Sequence, residues 1–287
     1  MSGNLFKKGE LPAQPIKASI ALLVQADIMR QFKAANSDAI MLPVGSVGKK
    51  PDDDYNGDID IAVKCSSIDE LKKMVENAFP NNETADFKTL RIVSMNHKYT
   101  DEHDKSVAVD FIMMDSPAYT AFRYHCPDYR NGESRYKVGT KIMLIGTILN
   151  HCDKPEKKGY RTKYLFDPLG LFAEYWNPST NDVIDELVTT DPQAVVDIMF
   201  NNSSIDVCDT VESIWEAIHS SGFKHPERVK AIELAFFVNS YRKGWEEQVH
   251  PEDFKLEYWT TEEIKKALAP HTALRRINNL LTAIVER

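Results

Sequence analysis

Cysteine is scarce and scattered: Cys65, Cys126, Cys152 and Cys208 are the four in a chain of 287 residues. None stands two residues from another, so neither a zinc ribbon nor a disulfide framework is indicated, and reduced thiols in a cytoplasm are the expectation. Long apolar runs are also lacking. The best, residues 39–44 and 107–114, fall far short of the ~20 residues a membrane span needs. Residues 1–15 are polar and hold no apolar core of a signal peptide, which adds to the expectation of a cytoplasmic protein with no membrane partner. No repeat or low-complexity tract is present, which excludes a solenoid or a disordered scaffold. An overall excess of positive charge is missing too. The net charge of −8 argues against a protein that coats nucleic acid nonspecifically.

Against that acidic background one segment is basic. Residues 130–163 hold nine cationic side chains (Arg130, Arg135, Lys137, Lys141, Lys154, Lys157, Lys158, Arg161, Lys163) and three acidic ones (Glu133, Asp153, Glu156). Such a segment reads either as a solvated face or as one wall of a nucleic-acid groove.

Apolar periodicity divides the chain in two. Ile16, Ile20, Leu23, Val24, Ile28 and Phe32 recur at helical spacing. Strand-like runs follow at residues 39–44, 59–63, 90–95 and 107–114, with a helical stretch at 67–79. Strands mixed with helices predict an α/β (α+β) unit, a mixed sheet with flanking helices, over residues 1–152. Beyond Asp153 strand signals fade. Asp191-Pro192 reads as an N-cap with proline at the first helical position. His225-Pro226 opens a helix whose Ala231, Leu234, Ala235, Val238, Tyr241 and Trp245 share a face. Thr260 with Glu263 makes a capping box, and residues 274–285 form a last amphipathic helix. A mainly helical C-terminal domain over residues 153–287 is the expectation, with residues 154–163 as linker.

The chemistry concentrates after residue 41. The apolar segment Leu42-Pro43-Val44 runs into Gly45-Ser46, and after a gap of eleven residues Asp58-Ile59-Asp60 opens a second strand. Alternation puts Asp58, Asp60 and Ala62 on one face and Ile59, Ile61 and Val63 on the other. Two carboxylates on one face of a desolvated cleft repel unless a cation lies between them, and Mg²⁺ favours oxygen ligands of this kind together with substrate phosphates. Asp110 interrupts the apolar run Val107–Met113 and needs a partner for its charge. If the two strands are neighbours, it completes a three-carboxylate cluster. Other readings fit less well. A P-loop needs Gly where Pro43 stands and Ser or Thr where Lys50 stands. Asp52-Asp53-Asp54 reads as a solvated loop.

Gly-Ser, the eleven-residue gap, Asp-x-Asp opening a strand and a later Asp within an apolar strand resemble the nucleotidyltransferase superfamily of DNA polymerase β. That group includes poly(A) polymerases, CCA-adding enzymes and oligonucleotide synthases. The resemblance covers roughly residues 38–115. Gly57 stands before the first aspartate where many members carry Ser, and Lys49-Lys50 replaces the Arg-Gly or Gly-Thr of RNA-tailing members. The resemblance implies that Asp58, Asp60 and Asp110 hold two Mg²⁺ ions (or Mn²⁺) and that Gly45 and Ser46 bind the triphosphate of an NTP such as ATP or CTP. A lysine after the third Asp, Lys137 or Lys141, would contact the phosphates. The expected activity is template-independent transfer of a nucleotide to an acceptor hydroxyl, foremost an RNA 3′ end of tRNA-like kind because of the basic segment. A cyclic or short-oligonucleotide synthase, an enzyme that nucleotidylates a protein or small molecule, and an inactive nucleotide-binding module are the alternatives.

Overall fold

The computed structural model describes residues 13–99, 105–242 and Thr260. The chain is a mixed α/β protein, and its central element is a five-stranded mixed sheet. Chain order opens with β1 (Ile16–Lys17), α1 (Ala18–Ala35), β2 (Met41–Val44), β3 (Tyr55–Asn56), β4 (Asp58–Lys64), α2 (Ile68–Ala78), β5 (Thr84–Phe87), β6 (Ile92–Tyr99) and β7 (Lys105–Met114). Strand order across the sheet is β2-β4-β7-β6-β5. The pair β4–β7 is parallel and the other pairs are antiparallel. All four expected strands are present.

The two faces of this sheet differ in kind. Ile59, Ile61 and Val63 of β4, Val109, Phe111 and Met113 of β7, and Val93 and Met95 of β6 point into one core, covered by α1 and α2. Ser67 caps α2 by accepting from the Glu70 backbone N–H, and acidic residues occupy its first turn, both favourable at a helix N-terminus. Leu71 and Val75, one turn apart, are its buried side. On α1 the buried line is Ala18, Ala21, Gln25, Ile28 and Phe32, and Phe32 stacks on Phe111 with ring centroids 5.3 Å apart. Leu23, expected on that face, is 70% exposed, because α1 starts at Ala18 and the small alanines face the sheet.

The second half follows as α3 (Pro117–Arg123), α4 (Val138–Leu149), β8 (Arg161–Asp167), β9 (Gly170–Trp176), β10 (Val183–Thr189), α5 (Pro192–Met199), α6 (Val211–Ile218) and α7 (Val229–Arg242). The antiparallel meander β10-β9-β8 corrects the expectation that strands end near Asp153. Arg161, Lys163, Asp185 and Glu186 hide the alternation in β8 and β10, whereas β9 buries Leu171, Ala173 and Tyr175 in strict period two. The expected linker therefore runs into a strand at Arg161. Side chains of α3 and α4, assigned to the first unit in the sequence, share one apolar core with Tyr164, Leu171 and α5, α6 and α7.

Asp191 caps α5 as expected, with proline at the helix start, and a 3-10 turn at Pro226–Arg228 leads into α7. The buried line of α7 is Ile232, Phe236 and Ser240, while Ala231 is exposed. Of the expected face Leu234 packs against the core, and the side chains of Val238 and Tyr241 lie outside those described. The expected helices after Thr260, and Trp245, lie outside the described residues. Among those described, no helix is long and apolar enough to cross a membrane.

Two substitutions grade these elements in urea denaturation. Phe111→Ala should cost about 3–5 kcal/mol, as a large aromatic removed from a close-packed core. Asp191→Ala should cost only about 0.5–2 kcal/mol, as the loss of a single cap.

Candidate active site

Backbone register brings the three aspartates together. On the parallel pair β4–β7, Asp60 lies directly opposite Asp110, and Asp58 opposite Ala108. Partners in register point to the same face, so all three carboxylates stand on the face that α1 and α2 leave uncovered. The electrostatics agree: burial raises the Asp60 carboxyl well above its ordinary range, and the charges of Asp58 and Asp110 raise it further. Beside the carboxylates the face has an apolar part. Val44, Ala62, Ile112 and Met114 form its floor, with Leu42, Ile92 and Tyr124 packed against it. Tyr124 ends α3, and Arg123 sits over its ring at 4.7 Å. Its phenol is pushed up by burial, a shift that Arg123 opposes and the charge of Asp60 reinforces.

The Gly-Ser turn abuts this cluster. Val44 pairs with Asp60 across β2–β4, so Gly45 leaves the strand beside the carboxylate. Its φ is +77°, and a Cβ built there would lie 2.3 Å from Asp60 Oδ2. Glycine is therefore required twice over, by conformation and by space. The Ser46 hydroxyl donates to Asn56 Oδ1 at 3.0 Å. Asn56 is fully buried, and its Nδ2 has no hydrogen-bond partner among the described residues.

Two supporting residues went unnoticed in the sequence. Gln25 Nε2 donates to the Asp60 main-chain carbonyl at 3.1 Å, pinning the strand at that aspartate from α1. Ser94 Oγ donates to Asp110 Oδ1 at 2.6 Å. The signal for both was a polar residue at a position whose neighbours demand burial.

The two lysines differ in setting. Lys137 is exposed at the start of α4. Lys141 is 2% exposed, its ammonium donates to the Phe122 carbonyl at 3.2 Å, and burial lowers its pKa to about 8. The two do not present one cationic surface, because Lys137 precedes the first helical turn and Lys141 points between α3 and α4. Asp52, Asp53 and Asp54 are exposed, as expected of a solvated loop, and all four cysteines are free thiols.

The donor set is all carboxylate, which suits a hard divalent cation. Among the described residues no group of three or more His, Cys, Asp or Glu side chains is placed to hold a metal ion by itself. Mg²⁺ is usually held by one or two carboxylates completed by substrate phosphates and water, and this open arrangement of carboxylates beside a glycine turn fits that manner of binding.

No family model and no curated protein matches the chain. Among solved structures it is similar to polymerase beta of Leishmania infantum in a ternary P/T complex, with 16% sequence identity and a TM-score of 0.35. The match covers 55% of this chain and 58% of that one, so the chain spans less than two thirds of that protein's length.

Crowding of carboxylates has a measurable consequence. A carboxyl raised in the folded state binds its proton more tightly there than in the unfolded chain, so stability falls as pH rises through and above the usual carboxylate range. Asp60→Asn, measured by urea denaturation at pH 7 in chelator, should therefore be more stable than the parent by about 0.5–2 kcal/mol, and the difference should vanish at acid pH. Gly45→Ala should lose stability at either pH, by about 1–3 kcal/mol for a side chain forced into the left-handed region.

Proposed function

We propose that the chain is a magnesium-dependent nucleotidyltransferase that moves a nucleotide from an NTP to an acceptor hydroxyl and releases pyrophosphate. The observation that carries this reading is the triple juxtaposition of Asp60, Asp110 and the side-chain-free turn at Gly45. A carboxylate pair and a phosphate-accommodating turn are needed together only where charged phosphates and cations meet.

Asp58, Asp60 and Asp110 would hold the cations. The chemistry these cations would supply is a lowered pKa for the attacking hydroxyl and positive charge to offset the departing pyrophosphate. Gly45 leaves room for a phosphate to approach the backbone, and N–H groups of the turn with the Ser46 hydroxyl would orient it. The apolar floor under Tyr124 supplies a wall of low polarizability, against which these charge interactions are stronger than in water.

For the acceptor we propose an RNA 3′ end, bound along the basic segment through Lys137, Lys158 and Arg161. A second reading has a specific observation in its favour. Arg130 is paired with Asp128, Lys157 with Glu186 and Lys163 with Glu174, while Lys141 and Lys154 donate to main-chain carbonyls. Much of the basic segment is thus satisfied internally, which suits a cyclic or short-oligonucleotide synthase that needs no polymer. Lys157 in addition lies over the rings of Tyr160 and Tyr175, which meet edge-on.

Incubation with labelled NTPs and Mg²⁺, with and without RNA, separates these readings. The parent chain should release pyrophosphate, and Asp58→Ala/Asp60→Ala should lower that rate by roughly 10²–10³-fold or more. Label on RNA supports the tailing enzyme, and turnover without RNA supports the synthase. Nucleotide binding with no turnover in any arm would mark an inactive module, and a double variant as active as its parent would remove the basis of the proposal.

A further inference from the structure

Ser94 is the polar residue in the middle of β6, between Val93 and Met95, and it is 1% exposed. A hydroxyl withdrawn from water to that degree needs a partner. A strand serine commonly meets the need by bonding a neighbouring main-chain carbonyl. Here the acceptor is instead a carboxylate: Ser94 lies directly opposite Asp110 in the antiparallel pair β6–β7, and its Oγ donates to Asp110 Oδ1 at 2.6 Å. An O–H···O⁻ bond of that length belongs to the strong, charge-assisted class.

Strand order gives the bond its meaning. β7 lies between β4 and β6, so Asp110 has Asp60 on one side and Ser94 on the other, both in register. The serine hydroxyl holds one of the Asp110 oxygens on the far side and thereby fixes the plane of the group.

From this geometry we infer that Ser94 is a positioning residue, which orients Asp110 so that the carboxylate faces a divalent cation shared with Asp60. The inference rests on the reading of Asp58, Asp60 and Asp110 as cation ligands. It extends that reading to a residue that touches neither cation nor substrate. Hydrogen-bond partners of metal ligands typically contribute 10–100-fold in metal affinity or activity. Packing alone makes no such demand, since alanine fills nearly the same volume.

The test is Mn²⁺ titration of the full chain without nucleotide, followed by electron paramagnetic resonance, on the parent, Ser94→Ala, Asp110→Asn and the double variant. Ser94→Ala should weaken Mn²⁺ binding by about 10–100-fold while leaving the thermal midpoint in chelator within a few degrees of the parent. In the Asp110→Asn background it should cause no further loss. With NTP and Mg²⁺, kcat should fall while KM for the NTP changes little. A parent chain that binds no Mn²⁺ would overturn the cation reading itself. A parent that binds, with Ser94→Ala binding equally well, would overturn the positioning role alone. So would a full further loss on adding Ser94→Ala to Asp110→Asn, because the serine would then be acting somewhere other than through Asp110.

Discussion

Asp60 and Asp110 face each other across two parallel strands in register, and most of the surrounding structure follows from that placement. Two carboxylates at neighbouring strand positions repel, and a third, Asp58, stands two residues away on the same face. The fold holds them there by other means. Gln25 grips the main chain at Asp60, Ser94 grips the carboxylate of Asp110, and the close packing of Ile59, Ile61, Val109 and Phe111 on the opposite face fixes both strands. Packed cores do not deform continuously, so the carboxylates stay close despite the electrostatic cost, and that cost is what a divalent cation would remove.

The same constraint explains the neighbouring turn. β2 delivers Gly45 against the Asp60 carboxylate so closely that any side chain would collide with it. At that turn the backbone therefore stands beside the carboxylate with no side chain between them. On the other side of the floor, Tyr124 and Arg123 of α3 close the apolar end. They connect the site to the second core, in which α3 and α4 pack with α5, α6 and α7. Lys141 belongs to that second core. Its buried ammonium, held by the Phe122 carbonyl, ties α4 to α3.

Much of the first half was legible because its signals are local. Four strands and the helix after Ser67 carry clean apolar patterns and a proper cap, and Asp58 and Asp60 share a face by simple alternation. The Asp191 cap was legible for the same reason. The meander of β8, β9 and β10 was not, because charged residues on its outer side interrupt the pattern in two of three strands. The burial of Ile232 and Phe236 on α7 was not legible, because apolar residues lie on more than one side of that helix and contacts with other helices, such as Trp215 of α6 against Phe236, select among them.

The sequence by itself therefore determined which residues could be ligands. Three aspartates and a Gly-Ser turn have chemistry that does not depend on where the chain puts them, and strand alternation aligned the first two. Only the tertiary structure decided that Asp110 comes level with Asp60, that Ser94 and Gln25 hold the pair in place, and that Lys141 turns inward. Those facts depend on strand order and register, which arise from contacts between residues tens of positions apart and leave no periodic trace in the chain.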